Sequence, residues 1–200
     1  MNLWLIRHGE KGSVAGEVAS IELTGKGRRQ ADLVGKRLKH EHIDIIFSST
    51  MTRAKQTAFV INKHINVPIE YREALREIDM GECDSKGWEY VRTNYPDFIA
   101  TFEKREIDVP YPKGECGNDV WIRAGDVIEE IKSLRLENIA IVSHGGTIRA
   151  IISGVLRLPQ AKRFSLGSPL EHCSISCIQF VNNQYNLHIF NDYFHLGAEI

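Results

Sequence analysis

The chain reads as an α/β protein: a mainly parallel central sheet with helices on both faces, forming a single three-layer α/β/α domain over residues 1–200. Three observations predict this. Strand-like apolar runs alternate with helix-length amphipathic segments in the order β-α-β-α…β-α. Three of those runs each end in a polar, serine- or glycine-bearing corner that leads into the next segment. Finally, 200 residues fall in the single-domain range and can bury a substantial core, with no repeat, low-complexity tract or linker to divide them.

The first strand is Leu3 to Ile6, and it runs into Arg7-His8-Gly9-Glu10. Thr24 reads as the N-cap of a helix through Leu38, with Ala31, Val34 and Leu38 at helical spacing. A second strand, Ile43 to Phe47, leads through Ser48-Ser49-Thr50 to a helix from Thr52 to about His64, which puts Arg53 in a first turn. A short strand at Ile69 to Tyr71 and a loop from Leu75 to Glu82 follow. Gly87 to Phe102 is a helical excursion, and Asp119 to Leu134 a helix with Val120, Ala124, Val127, Ile128 and Ile131 on one face. The strand Ile139 to Val142 delivers Ser143-His144-Gly145-Gly146-Thr147 to a helix over Ile148 to Leu156. Two late strands fit Ser174 to Val181 and Tyr185 to Phe190.

These corners carry chemistry suited to phosphate. A neutral imidazole attacks phosphorus, and a neighbouring Arg holds the nonbridging oxygens with its planar fork. Gly9 is expected to let backbone N–H groups approach. Arg53 at a helix start reinforces an anion site, since that end of a helix presents unpaired N–H groups. In open parallel sheets ligands bind beyond the carboxyl ends of strands, so the three corners are expected to converge. Glu77, between Arg76 and Ile78, is the candidate acid: apolar neighbours favour the protonated carboxyl and a cationic site opposes it. Any one of these signals alone is weak, because a short Arg-His-Gly or a single Arg at a helix start is commonly a solvated surface feature.

Taken together, these motifs resemble the histidine phosphatase superfamily, or phosphoglycerate mutase-like family, over most of the chain. The matching stretches are Leu5-Ile6-Arg7-His8-Gly9-Glu10, Leu23-Thr24 with Gly27 and Gln30-Ala31, Ser48-Ser49 through Arg53-Ala54-Lys55-Gln56-Thr57-Ala58, Leu75-Arg76-Glu77-Ile78 with Gly81, Gly114-Glu115, Val142-Ser143-His144-Gly145-Gly146, and Asn191-Asp192 with His195-Leu196. The resemblance implies that His8 is the phosphorylated nucleophile and Glu77 the proton donor. It places Arg7, Arg53 and the catalytic His144 in the phosphate pocket, where Gly145 is expected to join them. One departure stands out: many members carry Asn seven residues after the motif's Arg, and here Val14 occupies that position. Ser13 or a backbone amide is the candidate replacement. His195 matches a family position and is read as structural.

Composition narrows the partners. A net charge of −1 and a pI of about 6.7 give no overall reason to expect nucleic acid or an anionic membrane. No run approaches the roughly 20 apolar residues of a membrane span, and the N-terminus lacks the features of a secretory signal, so a cytoplasmic location is expected. Cys83, Cys116, Cys173 and Cys177 show no C-x-x-C pairing and read as free thiols; Cys173 and Cys177 would lie about 13 Å apart within one extended strand. There is no H-E-x-x-H helix, and His40, His42 and His64 read as surface residues, so neither metal nor cofactor is expected.

Residues 82–115 read as a cap or lid over the site, with Phe98 and Phe102 as packing residues and Lys86, Lys104, Arg105 and Lys113 as candidates for a second anionic group on the substrate. The expected activity is that of a histidine acid phosphatase-like phosphomonoester hydrolase: His8 takes the phosphoryl group from a small phosphorylated metabolite, and water then releases it. Two alternatives share the pocket, a cofactor-dependent phosphoglycerate mutase-type phosphotransfer and a noncatalytic phospho-ligand binding module. The sequence leaves monomer and sheet-edge homodimer both open.

Overall fold

Strand β1 (Asn2–Arg7) buries Leu3, Trp4, Leu5 and Ile6 in succession, so both of its faces are covered. The computed structural model describes residues 1–13, 18–167 and 169–200. After β1 come α1 (Gly25–Leu38), β2 (Ile45–Ser49), α2 (Thr52–Ile65), β3 (Ile69–Arg72), α3 (Glu82–Ser85), α4 (Trp88–Asn94), α5 (Pro96–Lys104), α6 (Gly117–Ser133), β4 (Asn138–Ser143), α7 (Gly145–Val155), β5 (Ile175–Val181) and β6 (Gln184–Asp192). The strands form one sheet in the order β3-β2-β4-β1-β5-β6. Pairings β3–β2, β2–β4 and β4–β1 are parallel, while β5 runs antiparallel to both β1 and β6.

The alternation of side chains along the strands divides the core in two. Leu3, Leu5, Phe47, Ile139 and Ile141 meet Ala124, Val127, Ile128 and Ile131 of α6 and Ile148, Ile151 and Ile152 of α7. On the other face, Trp4, Ile6, Ile46, Ala140 and Val142 meet Ala31, Val34 and Leu38 of α1 and Ala54, Ala58 and Ile61 of α2. Adjacent strands β1 and β4 therefore hand the chain to helices on opposite faces. A crevice opens at the carboxyl ends of strands where the connections diverge in this way.

The expected elements are present, with shifts that have local causes. Thr24 caps α1, its side chain accepting the Gly27 N–H at 2.9 Å. Strand β2 starts at Ile45 instead of Ile43 because the Asp44 carboxylate accepts the N–H groups of Glu137 and Asn138 at 2.9 and 2.8 Å, joining the entrance of β4. The excursion over 87–102 is two helices, not one: α4 ends before Tyr95, and Pro96 opens α5. Cys173 lies outside β5 with a positive φ of 57°, so it and Cys177 do not share a strand; all four cysteines are free thiols.

Gly9 has a role other than the expected one. Its N–H donates to Thr57 Oγ1 at 3.1 Å, and a Cβ there would lie 2.4 Å from the Gly27 carbonyl oxygen. A Cβ on Gly27 would in turn lie 2.1 Å from the Glu10 carbonyl oxygen. The pair lets α1 press directly on the loop after β1. Although Ala is favoured over Gly in a helix by about 1 kcal/mol, the backbone clash outweighs that gain. Gly27→Ala is therefore expected to destabilise the fold by about 2 kcal/mol in urea denaturation; an increased midpoint would show that the contact is not restrictive.

Candidate active site

Register brings the corners together. Arg7 pairs with Ser143 across β1 and β4, and Ser48 pairs with Val142 across β2 and β4. The residues just beyond, His8, Ser49 and His144, therefore leave three neighbouring strands at one level. The His8 and His144 rings sit 5.1 Å apart, edge to face at 61°. Arg53, from the first turn of α2, points its Nε–H at His8 Nε2 at 3.2 Å. Gly145 opens α7 beside Arg7, where a Cβ would stand 3.6 Å from the guanidinium Nε. Glu77 lies across the first turn of α7. All six candidate residues, Arg7, His8, Arg53, Glu77, His144 and Gly145, are thus at the carboxyl end of the sheet.

His8 is almost wholly buried and its hydrogen bonds fix its tautomer. Nδ1 lies 2.8 Å from the Gly9 carbonyl oxygen, which can only accept, so Nδ1 carries the proton. Burial, then the fields of His144 and Arg53, hold its pKa well below the ordinary imidazole value. In the neutral ring Nε2 then carries the lone pair, which accepts the Arg53 Nε–H. His144 is fully buried, and burial followed by Arg53 and Arg7 lowers its pKa strongly as well. Its Nε2 lies 2.8 Å from Ser49 Oγ, which itself accepts the Met51 N–H at 3.2 Å, while Nδ1 has no hydrogen-bond partner among the described residues.

The Glu77 carboxylate is seated on a helix start. Oε1 accepts N–H groups of Ile78 at 3.0 Å and Thr147 at 3.1 Å, and Oε2 accepts Gly146 N–H at 3.3 Å. A Cβ on Gly146 would come within 2.6 Å of Glu77 Oε1, so the seat requires glycine. Arg7 is anchored by donating to the Leu170 carbonyl. Burial lowers the pKa of Arg7 and of Arg53, and the negative charge of Glu77 opposes that shift at both.

Several neighbours were not legible as site residues. His172 packs its ring 5.3 Å from His8 and donates Nδ1–H to the His8 carbonyl at 3.2 Å; burial and then Arg7 pull its pKa down to about 4. Thr57 and Ser49 hold Gly9 and His144. His195 is set back from the pocket, donating Nε2–H to the Cys173 carbonyl at 3.0 Å, while Cys173 N–H donates to the Arg7 carbonyl at 3.1 Å. Val14 lies outside the described residues, and Ser13 is exposed.

The cationic candidates of 82–115 are mostly engaged within the protein. Lys86 and Lys113 pair with Glu82 at 3.1 and 2.8 Å, and the Arg105 guanidinium is sandwiched 3.7 Å from the rings of both Phe102 and Phe164. Phe98 and Phe102 stack at 5.1 Å inside a third apolar cluster with Val91, Tyr111 and Ala150 of α7. Among the described residues no group of three or more His, Cys, Asp or Glu gathers as a metal cage, and no helix is long and apolar enough to cross a membrane.

Comparison with known proteins identifies the family. The family model of the histidine phosphatase superfamily (branch 1) matches residues 3–193. A putative phosphoserine phosphatase 2 of Hydrogenobacter thermophilus is 32% identical over 155 residues, covering 75% of this chain and 76% of that protein. The human 6-phosphofructo-2-kinase/fructose-2,6-bisphosphatase 4 is 31% identical over 159 residues; the match covers 76% of this chain but only 32% of that longer protein. Among solved structures, Bacillus stearothermophilus YhfR superposes with a TM-score of 0.85 at 26% identity, covering 98% of both chains. With the matched motifs running from the first strand to beyond the last, the chain belongs to the histidine phosphatase superfamily, branch 1.

Proposed function

We propose that this chain is a metal-independent phosphomonoester hydrolase of the histidine acid phosphatase-like class, acting through a phosphohistidine on a small phosphorylated metabolite. The observation that carries this reading is the tautomer of His8. With Nδ1–H bound to the Gly9 carbonyl and the ring neutral, the lone pair sits on Nε2, where Arg53 also points. A buried neutral imidazole flanked by two guanidiniums is suited to attacking phosphorus.

In the first step His8 Nε2 forms a bond to phosphorus, the bond to the leaving oxygen breaks, and Glu77 gives that oxygen its proton. In the second, Glu77 takes a proton from water as the water oxygen attacks phosphorus, and the P–N bond breaks to free phosphate and His8. Arg7, Arg53 and the first-turn N–H of Gly145 are assigned to the nonbridging oxygens, where charge is spread in a loose transition state. Ser49 Oγ accepts from Met51 and retains its own proton for His144 Nε2, which leaves Nδ1 of a neutral His144 as a further donor to phosphate.

Within this reading, residues 82–115 are the lid segment of a single domain. Their apolar cluster with Ile78 and Ala150 supports that role, because it ties α3 to α5 onto both the Glu77 loop and α7. Four free thiols are consistent with a reducing, cytoplasmic compartment. Similarity to a putative phosphoserine phosphatase makes phosphoserine a first substrate to assay, beside 3-phosphoglycerate, sugar phosphates and a nucleotide.

The test is phosphate release from that panel with EDTA present. Wild type is expected to release phosphate, and His8→Ala to retain less than about 10⁻³ of its rate. Near wild-type turnover by His8→Ala would refute the mechanism, and isomerisation of 3-phosphoglycerate without release would favour mutase-type transfer. In kcat/KM, which reports the transfer to His8 and not the shared water step, Glu77→Gln is expected to lose about 10²-fold more on alkyl phosphates than on nitrophenyl phosphate, whose leaving group needs no proton. Equal losses on both would remove Glu77 from the acid role.

The neutral imidazoles also predict a pH dependence of stability. His8, His144 and His172 all have folded pKa values below the ordinary imidazole value, and the unfolded chain regains that ordinary value of about 6.5. Unfolding therefore takes up protons below about pH 6.5. The contribution is complete above that pH and falls as pH drops toward about 4, where folded His172 also titrates. Each site changes stability by about 1.4 kcal/mol per pH unit across its window. Urea denaturation at pH 7, 6 and 5 should show the decline; a flat profile would mean that the imidazoles are charged in the folded protein.

A further inference from the structure

Glu77 follows a short 3-10 turn, Glu73–Leu75, and the carbonyls of the four successive residues Ala74 to Glu77 are each bound by a side chain from the neighbouring elements. Arg123 of α6 donates from Nη1 to Ala74 O at 2.5 Å and to Arg76 O at 3.0 Å, and from Nη2 to Glu77 O at 3.2 Å. Ser143 Oγ donates to Leu75 O at 2.8 Å, and Thr147 Oγ1 donates to Arg76 O at 2.6 Å. A single guanidinium thus spans three of the four carbonyls, including that of Glu77 itself.

Arg123 is in turn held by Glu115. Its Nε donates to Glu115 Oε1 at 2.9 Å and its Nη2 to Oε2 at 3.0 Å, a two-point pairing that fixes the plane of the guanidinium. Both side chains are only 16% exposed. Glu115 also accepts Arg76 Nη2 at 3.0 Å and Asp79 N–H at 2.9 Å, so it grips the loop on both sides of Glu77. Burial would raise the Glu115 pKa, but its bonds to Arg123 and to Asp79 N–H outweigh this and hold it below the ordinary carboxylate value. A surface-type ion pair would need none of these backbone contacts.

We infer that Arg123, locked by Glu115, is a positioning residue for Glu77: it touches no reacting atom and sets where the Glu77 carboxyl delivers its proton. Lysine cannot replace it, because a point charge on a flexible stem cannot present a planar fork to three carbonyls and a carboxylate at once. Loss of the clamp frees the backbone under the acid. A displacement of about 1 Å at a reacting group costs on the order of 10²-fold in rate. That loss falls on the step needing the proton, so it scales with the basicity of the leaving group.

The inference rests on the reading of Glu77 as the acid, and the experiment separates the two. Arg123→Lys, Glu115→Gln, Glu77→Gln and the double variants with Glu77→Gln are assayed on an alkyl phosphate and on nitrophenyl phosphate, with melting temperatures recorded. Arg123→Lys is expected to lose about 10- to 100-fold in kcat/KM on the alkyl phosphate and under about threefold on nitrophenyl phosphate, because kcat/KM reports the transfer to His8 and not the water step that both substrates share. In the Glu77→Gln background the same change is expected to add no leaving-group-dependent loss. Glu115→Gln should show the same pattern more weakly, and it decides the matter if Arg123→Lys does not fold. Equal losses on both substrates, or an undiminished loss on top of Glu77→Gln, would overturn the positioning role while leaving the acid in place. If Glu77→Gln itself loses equally on both, the acid reading fails and the inference falls with it.

Discussion

The hydrogen bond from His8 Nδ1 to the Gly9 carbonyl is the contact on which the site depends. It is local, between neighbouring residues, yet it holds only because the loop that carries Gly9 cannot move. Gly27 of α1 presses on that loop without a side chain between them, Thr57 of α2 takes the Gly9 N–H, and Cys173 and His172 bind the carbonyls of Arg7 and His8. Three separate segments thus converge on three residues of backbone. What they hold in place is one lone pair on Nε2.

The sheet supplies the second constraint. Because β1, β4 and β2 are parallel and in fixed register, their last residues fall in a row, and the residues after them face a single crevice. The helices α2 and α7 begin at that crevice, so two helix starts share it with the guanidiniums of Arg7 and Arg53 and the imidazoles of His8 and His144. The Glu77 carboxylate is the counterweight: it occupies the first turn of α7 and offsets the burial of both guanidiniums. The pocket is accordingly electropositive without being a bare cluster of buried positive charges.

Much of this was legible in the sequence because it depends on short-range patterns. An apolar run ending in a polar corner gives both a strand and the direction it faces, and three such corners gave Arg7, His8, Arg53, His144 and Gly145. Glu77 came from a loop with carboxylates among apolar residues. What was not legible depends on long-range contact. His172 follows no periodic segment and meets His8 across 164 positions of chain. Arg123 reads as one more charge on an amphipathic helix, because nothing near it in sequence shows that its fork faces backbone carbonyls 46 to 49 residues away. Gly9 was legible as a glycine position but not for the right reason, since its partner is Gly27 and not a ligand. Pro96 marks the break between α4 and α5, but the apolar spacing of Trp88, Val91, Tyr95, Phe98 and Phe102 continues across it and reads as one helix.

The most direct measurement is capture of the enzyme during turnover. Rapid denaturation in base, followed by peptide mass spectrometry, preserves a phosphoramidate and loses it on acid treatment. A phosphoryl group on the peptide containing His8, located on the His8 ring and absent from His8→Ala, is the predicted result. Turnover under the same conditions with an unmodified His8, or with the phosphoryl group on another residue, would contradict nucleophilic attack by Nε2.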